Sequence, residues 1–277
     1  MDVHTYLRRI NYHASPMPGC DLPKIDLPDI SLLRALHRAH LFTVPFENLD
    51  IHLGRKIVCH EGRILHKIVN ERRGGFCYEL NGAFAALLRA LGFRVTLLSG
   101  RVARRDEEGS FGPEFDHLAL RVDLEEPWLA DVGFGDCFLE PLRLQSRAQQ
   151  LQNGHVYRLA STDRVFSLQV MAEEKWKTEY AFTLEPHEIS DFAGMCHYHQ
   201  TSPESYFTRQ RICSLATPQG RITLTDETLI ETRDGSRRER LLSSGEEWRA
   251  ALRDLFGVVL PEPATRPNGS CREACSE

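Results

Sequence analysis

What this chain lacks narrows it before any motif is considered. It has no apolar run approaching the roughly 18 residues that a membrane-crossing helix needs, and its opening stretch, "MDVHTYLRRINYH", scatters charges where a secretory leader would carry an apolar segment. A cytoplasmic location is therefore expected. It lacks an excess of basic charge: the formal net charge over 277 residues is -5, which argues against a nucleic-acid or membrane-surface partner and for small molecules. It lacks any CxxC pair. The eight cysteines (Cys20, Cys59, Cys77, Cys137, Cys196, Cys213, Cys271, Cys275) are dispersed over a chain long enough to fold without staples, so reduced thiols are expected and a structural zinc site is not. No internal repeat occurs. The only low-complexity stretch is the polar, proline-containing end after Leu260, which reads as disordered.

What is present begins with helices. "DISLLRALHRAHL" carries Leu32, Leu33, Leu36 and Ala39 at helical spacing, with Ser31 as expected N-cap and Val44-Pro45 as the stop. A second amphipathic helix runs from Cys77 to Leu91, with Phe76, Leu80, Phe84, Leu87, Leu88 and Leu91 along one face and Gly92 as terminator. From Arg94 the period changes. "RVTLLSGRV", "HLALRVDL", "PWLADVGFG", "HVYRLAS" and "VFSLQVM" read as strands of an antiparallel sheet or barrel. "GRITLTDE" and "TLIETRDG" follow, then a helix opened by Ser244 with Glu247 three positions on. Helices followed by strands indicate an α+β fold.

Cys77 is the position that asks for chemistry. It lies in a helix's first turn, where the macrodipole and free N–H groups favour thiolate, and it follows Gly74 and Gly75, which suit a close ligand or another backbone segment. A hairpin adds two partners: His117 and Asp131 are equidistant from a turn centred on Leu124, which makes them cross-strand neighbours roughly 5 Å apart at Cβ. A one-residue slip would undo that alignment. Cys77, His117 and Asp131 would supply a nucleophile, a base and a carboxylate that orients the base. The same residue types also serve as a buried hydrophobe, a surface histidine and a hairpin-end aspartate, or as metal ligands. Arg104-Arg105 and Arg237-Arg238 read as phosphate contacts or solvated faces, and His187, His197 and His199 match no zinc spacing.

The segments "VPFENLDIH" (44–52), "RRGGFCYELNG" (72–82), "FDHLALRV" (115–122), "WLADVGFGD" (128–136) and "QTSPESYFTRQRICSLATPQGRITL" (200–224) together resemble the arylamine N-acetyltransferases, in family order and over most of the chain. The resemblance implies an N-terminal helical bundle (1–92), a central antiparallel β-barrel (93–195) and an interdomain helix with an α/β lid and tail (196–277), around a core like that of cysteine proteases and transglutaminases. It implies that Cys77 takes an acetyl group from acetyl-CoA as a thioester, that His117 is the base and that Asp131 orients it, with an arylamine or arylhydrazine as acceptor in a ping-pong cycle. Acetyl-CoA would be a donor substrate, with no resident cofactor and no metal. Phe46, Val102, Phe134 and Phe207 fall at the family's acceptor pocket; Gly133, Gly135 and Ser205 fall toward coenzyme A. The short segment before "YAFTL" resembles the bacterial form, and the polar end does not resemble the vertebrate tail. The competing readings are an amide synthase, a hydrolase or transglutaminase-like enzyme with the same triad, and a binding protein that has lost turnover.

Overall fold

The computed structural model describes residues 2–12, 28–104, 107 and 109–261. Arg105, Cys20, Cys271, Cys275 and the tail from 262 onward lie outside the described residues. The N-terminal part is helical: α1 (Val3–Arg9), α2 (Ile30–Leu41), α3 (Leu49–His52), α4 (Glu61–Leu65) running into one π-helical turn (His66–Asn70), and α5 (Cys77–Ala90). The N-cap of α2 is Asp29 rather than Ser31. Its carboxylate accepts from the Leu32 N–H at 2.7 Å, which leaves Ser31 inside the first turn. The helix also ends at Leu41, before Val44-Pro45, where Val44 N–H turns back onto the His40 carbonyl. Gly92, at φ +90°, closes α5 as expected. That helix is buried on nearly every side, not on one face alone, because β-strands cover one flank and the other helices the opposite one.

Eight strands follow in an antiparallel sheet: β2 (Arg94–Val102), β3 (His117–Asp123), β4 (Pro127–Ala130), β5 (Leu142–Arg143), β6 (Gln150–Gln152), β7 (His155–Thr162), β8 (Val165–Ala172) and β9 (Lys175–Phe182). Their order is β5-β4-β3-β2-β9-β8-β7-β6. The two outer strands meet through glutamine side chains. Gln150 exchanges hydrogen bonds with the Arg143 backbone (2.8 and 3.2 Å) and Gln152 with the Glu140 backbone (2.9 and 2.8 Å), so the sheet is nearly closed into a barrel and its edges are occupied. Leu98, Leu129, Phe138, Leu168, Tyr180 and Phe182 fill the interior. The sequence pattern places "PWLADVGFG" as one strand, yet β4 stops at Ala130 because Asp131 turns its hydrogen bonds inward to side chains. β9, with three charged residues among its eight, gave no strand signal.

A 3-10 turn (Ile189–Phe192) leads into α6 (Ala193–Thr201) and α7 (Tyr206–Arg209), then β10 (Cys213–Thr217), β11 (Gly220–Leu224), β12 (Thr228–Arg233), β13 (Ser236–Leu241) and α8 (Gly245–Phe256). α8 opens where expected, with the Ser244 hydroxyl accepting from the Glu247 N–H at 3.2 Å. The second sheet runs β1-β10-β11-β12-β13, and β1 (Phe46–Glu47) comes from the N-terminal part. Phe46 pairs with Ser214 on one side and bridges Gly75 on the other, so this two-residue strand ties the loop before Cys77 to the C-terminal sheet. The architecture is α+β: helices, a nearly closed barrel and a second sheet covered by α8.

Candidate active site

The turn that carries Cys77 is held from below by charges. Lys67 Nζ lies 2.9 Å from Asp50, 2.8 Å from Glu79 and 3.7 Å from Glu47, while Arg73 lies 2.8 Å from Glu47 and 3.0 Å from Asp50. All five groups are buried. Three carboxylates face two cations in low dielectric, and their shares differ. Burial works to raise Asp50, but Lys67 and Arg73 together hold it below the usual carboxylate range. Glu79 has Lys67 alone against burial and is pushed up to about 7. Its other oxygen accepts from the Phe76 N–H at 3.3 Å, at the start of α5. A Cβ on Gly74 would stand 2.0 Å from the Pro45 carbonyl oxygen. Of the two occupants that the glycine pair admitted, the structure shows the backbone segment.

Cys77 (4 % exposed), His117 (2 %) and Asp131 (1 %) come from three elements: the first residue of α5, the first of β3 and the residue after β4. The hairpin register differs from the expected one. Leu120 pairs with Ala130 and Asp123 with Pro127, so the turn is centred on Glu125 and the ladder, continued, sets Asp131 opposite Ala119. Moving the centre by one residue displaces the partner by two, which keeps the face. His117 Nε2 therefore still reaches Asp131 Oδ2 diagonally, at 2.7 Å.

Asp131 is the most heavily bonded group in the site. Oδ2 also accepts from the Tyr180 hydroxyl (2.9 Å); Oδ1 accepts from Asn81 Nδ2 (2.8 Å) and from the Gly133 N–H (2.9 Å). Its own N–H donates to His37 Nε2 at 3.1 Å, and His37 Nδ1 then donates to the Leu139 carbonyl at 2.8 Å. Burial holds His37 at about 4, hence neutral, which suits that tautomer. Burial pushes Asp131 up, but His117 and the other donors outweigh it and hold the carboxyl below its ordinary range. With Nε2 on Asp131, Nδ1 of His117 is left to exchange a proton with another group.

The thiol departs from the expectation drawn from its helix position. Burial pushes Cys77 well above its ordinary value; the Leu118 N–H on its sulfur opposes this, and the nearby Asp116 and Asp131 carboxylates reinforce it. A helix N-terminus by itself does not make this cysteine a thiolate. It needs a proton acceptor, and the sulfur sits at the backbone N–H of the residue next to His117. Asn81, one helical turn after Cys77, donates to the Leu118 carbonyl at 2.6 Å and so holds α5 against β3. Thiol, imidazole and carboxylate in this order can move a proton from sulfur to ring and stabilise the imidazolium that results.

The other expected site residues divide. Phe46 and Phe207 rings are 6.1 Å apart, and Phe134 stands 5.1 Å from both His117 and Tyr180. Val102 pairs with Tyr180 across β2 and β9, two residues from Gly100, which faces His117. Gly135, at φ +94°, approaches the Phe46 ring. Gly133 is committed to packing: a Cβ there would meet Cys77 Cα at 2.9 Å. Ser205 is 3 % exposed, caps α7 and bonds His199 at 3.2 Å, so its hydroxyl points inward. Arg237 is exposed on β13 and pairs with Glu239, beside exposed Arg238; Arg104 is likewise exposed. His187 packs on Phe115, His199 on Phe207, and His197 is exposed, so the three histidines do not converge.

Three groups that organise Asp131 escaped the sequence pattern. Asn81 had a signal, a polar residue one turn after Cys77 beside the apolar face of α5; His37 likewise interrupts the apolar face of α2. Tyr180 had none, since its strand was not legible.

A family model described as N-acetyltransferase matches residues 29–265. An arylamine N-acetyltransferase / N-hydroxyarylamine O-acetyltransferase of Salmonella typhimurium is 38% identical over 81% of this chain and 76% of its own. An arylamine N-acetyltransferase of Escherichia coli is 36% identical over 92% of this chain and 88% of its own. The solved structure of Mycobacterium marinum arylamine N-acetyltransferase in complex with CoA superposes with a TM-score of 0.81 at 31% identity, covering 93% of each chain. On this evidence the chain belongs to the arylamine N-acetyltransferase family of acyltransferases.

Proposed function

We propose that this protein transfers an acetyl group from acetyl-CoA to aromatic amines or hydrazines through a thioester on Cys77. The observation that carries the reading is the buried set itself: the Cys77 thiol at the Leu118 N–H, its ionisation opposed by burial, with the neighbouring His117 pinned through Nε2 at 2.7 Å to Asp131, whose carboxyl is held below its ordinary range. Nδ1 of His117 takes the thiol proton as sulfur attacks the acetyl carbonyl carbon. The carbon–sulfur bond to coenzyme A then breaks, and the departing thiolate recovers the proton from His117. The amine nitrogen attacks the thioester in the second half, its proton passes to His117, and Cys77 leaves as thiolate and is reprotonated. Asp131 stays ionised throughout and offsets the imidazolium charge. Phe46, Val102, Phe134 and Phe207 form an apolar lining suited to a flat ring, and the CoA-bound neighbour supports acetyl-CoA as donor.

The test is intact mass after mixing with acetyl-CoA alone, followed by an aminobenzoate. The expected outcome is one acetyl adduct, located at Cys77, discharged by the amine and missing in Cys77→Ala. An adduct lost to water equally fast without amine would replace this reading with a hydrolase.

A further inference from the structure

Phe207 lies in α7, one turn of four residues, too short to hold its own shape in isolation. Its place is set by other segments. The Phe207 carbonyl accepts from Asn48 Nδ2 and His52 Nε2, both at 3.0 Å, and its N–H donates to the Ser205 hydroxyl oxygen at 3.3 Å. The ring lies 5.8 Å from that of Phe76, the residue before Cys77, and 5.2 Å from the imidazole of His199, which it meets edge to face. His199, on α6, also holds the cap of α7: its Nδ1 is 3.2 Å from the Ser205 oxygen. On its other side, Nε2 stands 3.1 Å from Oδ1 of Asp116, the residue before His117. A carboxylate at that distance favours the ring proton on Nε2, which leaves Nδ1 to accept from the Ser205 hydroxyl. His199 and Ser205 are both buried, so water does not replace a partner that either one loses.

We propose that His199 is a positioning residue for acceptor specificity: through Ser205 and its own ring it seats Phe207 as a fixed wall for an aromatic acceptor. The inference rests on the acceptor pocket proposed above. An aromatic amine gains from a wall that is already in place, because ordering a loose side chain on binding costs free energy. An acceptor without a ring gains nothing from that wall. His199 touches neither the thiol nor the imidazole of the triad, so it acts on the choice of acceptor and not on the acetyl step common to all acceptors.

The test is the ratio of kcat/KM for an aminobenzoate to kcat/KM for hydrazine, which has no ring, measured on the full chain at saturating acetyl-CoA. Effects on the donor or the triad cancel in that ratio. His199→Leu keeps an apolar side chain beside Phe207 and removes both nitrogens; it should lower the ratio about five- to tenfold, the worth of one neutral hydrogen bond, mainly through a raised KM for the aminobenzoate. Ser205→Ala should do the same, and the double variant should lose no more than either single one, since both break one contact. His199→Asn, whose Oδ1 offers an acceptor near the place of Nδ1, should recover most of the ratio. Equal loss with both acceptors would make His199 a general support of the fold and overturn the proposal, as would an unchanged ratio in either His199→Leu or Ser205→Ala. Phe207→Ala separates this inference from the pocket itself: a ratio that falls there but not in His199→Leu refutes the role of His199 alone, whereas a ratio kept in Phe207→Ala refutes the acceptor-pocket reading.

Discussion

Replacing Asp131 by asparagine probes the site most sharply, because the substitution preserves shape and removes one charge. Four donors converge on the carboxylate: Asn81 and the Gly133 N–H on one oxygen, His117 and Tyr180 on the other. An asparagine presents one oxygen and one NH2. If its oxygen keeps Asn81 and Gly133, the NH2 faces His117, and the ring must turn its Nε2 into an acceptor and carry its proton on Nδ1. That tautomer cannot take the Cys77 proton. The opposite orientation leaves a buried NH2 against two donors, at a cost of about 1–3 kcal/mol for each group left unmatched, so the first is favoured. In a serine-protease triad the corresponding change lowers kcat about 10⁴-fold, which is about 5 kcal/mol of barrier, and a loss of that order is expected here in the acetylation half-reaction. The assay is single-turnover release of the coenzyme A thiol from acetyl-CoA without amine, followed by stopped flow, with Tm as the check on folding. A well-folded Asp131→Asn protein acetylated within tenfold of the wild-type rate would refute the assigned roles of both His117 and Asp131. Since Asp131 is held ionised far below neutrality, protonation of Asp131 should set no part of the rate profile near pH 6.

Two further outcomes follow from buried contacts. Glu79 is held at about 7 against 4.5 when unfolded, so the folded chain binds the extra proton between those values and loses stability as pH rises through that window. The full loss is about 3 kcal/mol; Glu79→Gln lacks it, so its urea-unfolding free energy relative to wild type should climb from pH 4.5 to 7, and a constant difference would contradict the account. Gly133→Ala would set a Cβ 2.9 Å from Cys77 Cα and 2.7 Å from Asn81 Nδ2, forcing the loop or the first turn of α5 to move. A loss of about 1–3 kcal/mol in stability and up to about 10²-fold in kcat/KM is expected from thermal melts and steady-state rates, and unchanged values of both would show that the loop is not packed against the nucleophile.

The chain's local code was legible wherever one segment decides its own state. The apolar spacing and Gly92 define α5, Ser244 opens α8, the alternating runs give β2, β3, β7 and β8, and the motifs around Cys77, His117 and Asp131 point to acyl-transfer chemistry. Periodicity reports which face of an element is apolar, and nothing about what lies across from it. Tertiary structure alone decided the rest. The hairpin is centred one residue later than spacing implied, and contact survives because the shift preserves the face. Asp29 rather than Ser31 caps α2, since the better-placed carboxylate wins the N–H. The Asp131 donors arrive from α5, the loop after β4, β3 and β9, and its N–H finds a histidine on α2, a convergence of residues up to 94 positions from Asp131. The state of the Cys77 thiol was settled in the same way: a helix terminus acts within one turn, whereas burial by the barrel and the helices on every side raises the cost of charge more than that terminus lowers it.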